Sequence, residues 1–138
     1  MTSNPPAPGK PAAKKGDRVV GIDTHIVMIS SPGGPVPTPM PMPFDGVLDG
    51  GLSDDVAIDD KPAATKGSTA SNTPHIAAGG PFQKSPGNKG TVDAGSATVF
   101  IDNQPAAQMG SAVMTCNDPA DAPNGSVIAT STVVLIGG

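Results

Sequence analysis

The chain has 138 residues, with 18 Gly and 17 Pro, only three Leu and no Glu, Trp or Tyr, an alphabet from which helices of ordinary length are hard to write. A net charge of −4 and a sequence pI near 4.7 leave no basic stripe for nucleic acid, while 36% apolar residues and so small a charge do not force the chain into disorder. The apolar character comes from Val, Ile, Ala and Met, and β-branched residues favour half-buried strands, so the reading is one small, turn-dense, all-β domain.

In chain order, residues 1–10 carry no apolar h-region, read as a flexible N-terminal leader and give no sign of a secretory signal peptide. Residues 11–138 read as a single domain. Pro11-Ala12-Ala13-Lys14-Lys15-Gly16-Asp17 opens it, and Arg18 to Ile29 follows as one or two strands with His25 inside. Ser30 to Gly46 then holds six prolines, at 32, 35, 37, 39, 41 and 43, with Val36, Met40, Met42 and Phe44 interleaved. This spacing predicts polyproline II or an extended loop. Its roles could be a rigid strap on the side of the fold or a partner-binding surface, and a connector with its apolar residues packed inward is the plainer one.

The opening block returns twice, as Pro62-Ala63-Ala64-Thr65-Lys66-Gly67-Ser68 and Pro105-Ala106-Ala107-Gln108-Met109-Gly110-Ser111. The last two copies extend upstream without gaps, Asp55 to Ala64 aligning on Thr98 to Ala107 as Val-x-Ile-Asp-(Asp/Asn)-(Lys/Gln)-Pro-Ala-Ala. Val and Ile in alternation followed by Asp-Asp or Asp-Asn predict a short strand and a tight turn, because Asp and Asn tolerate positive φ, and the Pro-Ala-Ala return completes a small hairpin. The glycine five residues after each proline supplies a backbone conformation that a Cβ would hinder. Residues 76–95, with five glycines, read as a loop; they lack the Gly-Lys-(Ser/Thr) ending of a phosphate loop. Asn117 to Gly125 reads as a turn segment, and Ser126 to Ile136 as a closing strand or strand pair, too short to span a membrane.

Each block, within repeat units at 11–25, 55–75 and 98–116, is followed by one of the only three good soft metal ligands of the chain: His25, His75 and Cys116. Spacings of 50 and 41 residues between them are not those of a zinc finger. They make sense if three repeats converge on one pseudo-threefold axis and deliver their ligands to a common point. A thiolate with two imidazoles suits tetrahedral Zn²⁺, and iron would accept the same mixture. Taken singly, either His reads as an ordinary surface or core residue, and the lone Cys as a reduced thiol; their shared placement is what points to metal. The fourth position is open to water, to a carboxylate such as Asp23 or Asp118, to a backbone group, or to nothing. Catalysis finds no support: there is no Glu to act as general base, no His-Glu-x-x-His pair, and neither His has an orienting partner in the sequence.

The repeated block and its spacing resemble the proline-alanine-alanine-arginine (PAAR) repeat family over nearly the whole chain, from about residue 11 to the end. The resemblance implies a small β-rich cone on the distal end of a trimeric spike in contractile injection machines, whether type VI secretion systems, phage-like tails or extracellular particles. It implies a non-enzymatic cap whose broad base closes the strand edges of the spike, of the valine-glycine-repeat or phage type, and whose apex helps to pierce the target envelope. It implies zinc held by three histidines and a cysteine, of which His25, His75 and Cys116 are matched here. The arginine of the signature is replaced by Lys14, Thr65 and Gln108. Cargo would be carried non-covalently, since the chain has no room for a toxin domain, and the protein would be made in the bacterial cytoplasm and act outside it. The alternative is a periplasmic or surface metal-binding structural module with no injection role. Either way the thin core needs help, and structural zinc can contribute about 10 kcal/mol or more to folding.

Overall fold

The computed structural model describes residues 9–138; it contains twelve strands and, among the described residues, no helix. Of the expected leader, residues 1–8 lie outside the described residues, whereas Lys10 already belongs to strand β1 (Lys10–Pro11).

The three blocks fold alike. In each, the amide of residue seven donates to the carbonyl of residue four, closing the turns 14–17, 65–68 and 108–111 at 2.9–3.1 Å. The side chain of residue seven turns back onto the amide of residue four: Lys14 N donates to Asp17 Oδ2 at 3.1 Å, Thr65 N to Ser68 Oγ at 3.0 Å, and Gln108 N to Ser111 Oγ at 3.0 Å. Short side chains with an acceptor oxygen do this well, in keeping with Asp or Ser at that position. The glycine between them sits at φ of +90°, +96° and +84° in Gly16, Gly67 and Gly110, as the block predicts. Residues four and seven also change together. Where residue seven is Asp17, Lys14 forms a buried ion pair with it at 2.9 Å and donates to Thr130 Oγ1 at 2.7 Å; where it is Ser, residue four is the uncharged Thr65 or Gln108.

The alanines join the copies to one another. Ala13 N donates to Ala107 O, Ala107 N to Ala64 O and Ala64 N to Ala13 O, all at 3.0 Å, so that three backbone bonds close a ring about a pseudo-threefold axis. A second ring follows, with Lys15 N on Pro62 O, Lys66 N on Pro105 O and Met109 N on Pro11 O at 2.8–2.9 Å. Backbones this close leave space for a methyl group and nothing larger; all six alanines are at most 1% exposed.

On one side of the ring lie three short hairpins. β4 (Ala57–Ile58) pairs with β5 (Lys61–Pro62), and β8 (Phe100–Ile101) with β9 (Gln104–Pro105). Their turns place both central residues at positive φ, 50° and 65° in Asp59 and Asp60, 52° and 63° in Asp102 and Asn103, the backbone the Asp-(Asp/Asn) pairs predict. The third hairpin is assembled from distant parts of the chain: β12 (Leu135–Ile136) pairs with β1. Its outgoing arm, Ser131 to Ile136, is a third copy of Ser53 to Ile58 and Ser96 to Ile101, and in each copy the serine Oγ accepts the amide of the following valine at 2.9–3.0 Å. Ile58, Ile101 and Ile136 pack with Ala12, Ala63 and Ala106 into a small threefold core.

On the other side three hairpins close a six-stranded barrel: β2 (Arg18–Ile29) with β3 (Val36–Gly50), β6 (Thr69–Asn72) with β7 (Lys89–Val92), and β10 (Ala112–Thr115) with β11 (Ala122–Ile128). Val19, Ala70, Val113, Leu48, Val92, Val127 and Phe44 fill it. Several expectations are corrected. The supposed loop 76–95 contains β7; the supposed turn 117–125 gives way to β11 at Ala122, and Ser126–Ile136 divides between β11 and β12, which lie in separate sheets. The proline-rich stretch is a paired strand, in register with β2 from Ile29 opposite Val36 to Arg18 opposite Val47. Pro37, Pro39, Pro41 and Pro43 stand opposite Met28, Ile26, Thr24 and Ile22, positions at which the ladder asks for no bond between the two strands. The strand therefore tolerates every one of them; of the interleaved apolar residues Met42 and Phe44 turn inward, whereas Met40 is half-buried and Val36 exposed, so inward packing holds only for the barrel half of the stretch.

The alanine ring generates a stability prediction. Ala64→Leu, which forces a larger side chain between the copies, is expected to lower the free energy of unfolding by about 1–3 kcal/mol or more in denaturant titration; an unchanged midpoint would show that the ring is not close-packed.

Candidate metal centre

The ligands gather at the end of the barrel remote from the alanine ring. On β2, Asp23 and His25 lie two residues apart, so the alternation of a strand puts both on the buried face with Val19 and Val27. Cys116 directly follows β10. His75 comes three residues after β6, its amide held by Asn88 Oδ1 at 2.9 Å. Each of the three barrel hairpins thus delivers at least one donor.

The donor atoms of Asp23, His25, His75 and Cys116 all lie within 4.8 Å of one another. Bonds of about 2.0–2.3 Å to a tetrahedral ion imply ligand–ligand edges of about 3.3–3.8 Å, and two pairs already stand within or below this range. Asp23 Oδ2 is 2.9 Å from His75 Nε2 and 3.4 Å from Cys116 Sγ. The rings of His25 and His75 stand 4.9 Å apart, and Phe82 closes over His25 edge-on at 5.9 Å. His25 is 1% exposed, yet neither of its nitrogens has a hydrogen-bond partner. A buried imidazole left without partners is costly, and a ligand bond removes that cost. The cluster can hold a metal ion.

Around the donors sits a polar frame. Asp23 Oδ1 accepts from Thr115 Oγ1 and from Asn117 Nδ2, which leaves Oδ2 facing the cluster. Asn72 Nδ2 lies 3.3 Å from His75 Nε2. Asp118 Oδ2 accepts the amide of Ile26 at 2.8 Å and stands 3.7 Å from His25 Nδ1. Of the two carboxylates offered by the sequence for the fourth position, Asp23 therefore joins His25, His75 and Cys116, and Asp118 stands behind His25. Strand periodicity was the signal that separates them, since Asp23 shares a face with His25 while Asp118 belongs to a turn. Thr115, Asn117 and Asn72 carry no such signal.

Two anions, the Asp23 carboxylate and the Cys116 thiolate, would neutralise a divalent ion, so the occupied site buries no net charge. Without metal, burial and then the neighbouring Asp23 charge push the Cys116 thiol up to about 11. Burial, followed by the nearby His75, lowers His25 and keeps it neutral and ready to donate a lone pair. In comparisons with known proteins, no family model and no curated protein matches this chain.

Metal binding would release the thiol proton, because sulfur coordinates as the thiolate and burial pushes the free Cys116 thiol up to about 11. The apparent affinity is therefore expected to rise about tenfold per pH unit between pH 7 and 9 in competition with a chelating dye. A flat profile would show that Cys116 is not a ligand.

Proposed function

We propose that this chain is a non-enzymatic tip that caps the trimeric central spike of a contractile injection system, with a structural zinc at the end remote from the spike. The observation that carries the reading is the closed ring of Ala13, Ala64 and Ala107: one chain folds into three near-equivalent sectors about a single axis. Such an object has three matching faces for three identical subunits. The hairpin end of the axis presents them, since Ala57, Phe100 and Leu135 occupy equivalent positions and point outward, Phe100 and Leu135 at 59% and 55% exposure. The open strand ends of a trimeric β-spike need a cover of this symmetry.

Zinc suits the donor set because it takes N, O and S ligands tetrahedrally and without redox chemistry. Its task would be to tie the barrel hairpins together where they end, in a molecule with few large apolar side chains. His25 packs edge-on against Phe82 and Asp23 is framed by hydrogen bonds, an arrangement suited to holding an ion. The resemblance to PAAR-repeat proteins favours injection machines, with synthesis in the cytoplasm and action at the particle tip and the target envelope. Cargo would dock non-covalently.

The test is co-expression with the trimeric spike protein of the same system, followed by native mass spectrometry. One chain per trimer is expected, with Phe100→Asp and Leu135→Asp each weakening the complex at least tenfold. A metal-loaded chain that shows no affinity for the spike would instead favour a periplasmic or surface metal-binding structural module.

A further inference from the structure

We infer that the long β2–β3 hairpin is built with both of its lateral edges stripped of free backbone donors, so that no second copy of this chain can add a strand to it. The hairpin needs such protection. It continues well past the six-stranded barrel, since β6 covers β3 only over Gly46–Gly50, and the remaining edge from Val36 to Asp45 pairs with no strand among the described residues. An uncharged edge of this length is a template for self-pairing, and residues 24–44 contain no Asp, Glu, Lys or Arg to discourage it.

The direction of each donor follows from the ladder. Met28 N donates to Pro81 O and Ile26 O accepts Gln83 N, so the even-numbered residues of β2 turn their amides away from β3. Their partners on β3 likewise turn away from β2, towards the open edge. Those partners are Pro43, Pro41, Pro39 and Pro37, none of which has an N–H. The next outward amide, that of Asp45, donates to Asn72 Oδ1 at 2.9 Å. From Val36 to Asp45 the open edge therefore offers carbonyls and proline rings, and no amide.

The opposite edge is closed by other means. The outward amides of β2 at Thr24, Ile26 and Met28 are taken by Asn117 Oδ1 at 2.7 Å, Asp118 Oδ2 at 2.8 Å and Pro81 O at 2.8 Å. One edge has its donors occupied and the other has them deleted. An incoming strand on the β3 side would place its carbonyls against proline ring methylenes in place of amides, losing half of every bonded pair. The placement of prolines at alternate residues, in phase with the outward direction and nowhere on the inward one between 36 and 50, is the observation that singles out this purpose. The inference stands on strand pairing alone and holds whether or not the chain caps a spike.

The experiment restores donors. Pro39→Thr/Pro41→Thr and Pro39→Ala/Pro41→Ala double variants of the full metal-loaded chain are compared with the native protein by size-exclusion chromatography with light scattering over a hundredfold concentration range. The native chain is expected to stay monomeric throughout, and both variants to shift to dimers or larger species with retained metal content. Single Pro37→Thr, farther from the metal centre, replaces a double variant that loses its metal. Metal-loaded variants that remain monomeric at every concentration, or a native chain that itself self-associates through this edge, would overturn the inference.

Discussion

Everything in this molecule is referred to three backbone hydrogen bonds, those by which Ala13, Ala64 and Ala107 pass an amide from one copy of the block to the next until the circle closes. They fix the axis. Because each bond joins residues dozens of positions apart, the ring cannot form copy by copy; it demands that the three blocks be placed together, with methyl groups the largest side chains that fit. The glycine and the Asp or Ser that follow each alanine pair turn the chain out of the ring at the same angle three times, and so decide where the barrel strands begin.

The two ends of the axis then solve different problems. Near the ring the small core of Ile58, Ile101 and Ile136 is threefold and apolar, held by backbone turns whose serines satisfy the amides. At the far end the symmetry is lost. β2 and β3 run on beyond their counterparts, and β2 alone supplies both Asp23 and His25, with His75 and Cys116 arriving from the other two hairpins. With so little apolar bulk available, polar groups replace it there: a carboxylate anchored by Thr115 and Asn117, two imidazoles and a thiol. Burying these without an ion leaves His25 unpartnered and the thiol strongly resistant to ionisation. Metal binding would remove the first penalty and supply the charge that makes the thiolate stable, which would link coordination to folding.

Much of this was legible in the residues. The repeated block announces the three turns, and the Asp-Asp and Asp-Asn pairs announce two hairpins at positive φ. The structure brings His25, His75 and Cys116 together, as their shared placement after the blocks suggests. The third hairpin was hidden because its arms, Ser131 to Ile136 and Lys10 to Pro11, stand at opposite ends of the described chain. β3 was hidden because proline is a local signal against pairing, whereas whether a strand tolerates it depends on which way each missing amide would point, a fact fixed only by the partner strand. β7 is four residues long and embedded in glycines, below the length at which periodicity speaks. Asp23 was one of two candidates until strand alternation placed it beside His25.

X-ray absorption at the zinc edge on the native, metal-loaded chain tests the central claim most directly, that the repeats close so as to build one mixed-donor site. The account predicts one ion per chain with a single sulfur at about 2.3 Å and three nitrogen or oxygen neighbours at about 2.0–2.2 Å. A shell without sulfur, or a folded chain that retains no ion, would contradict it.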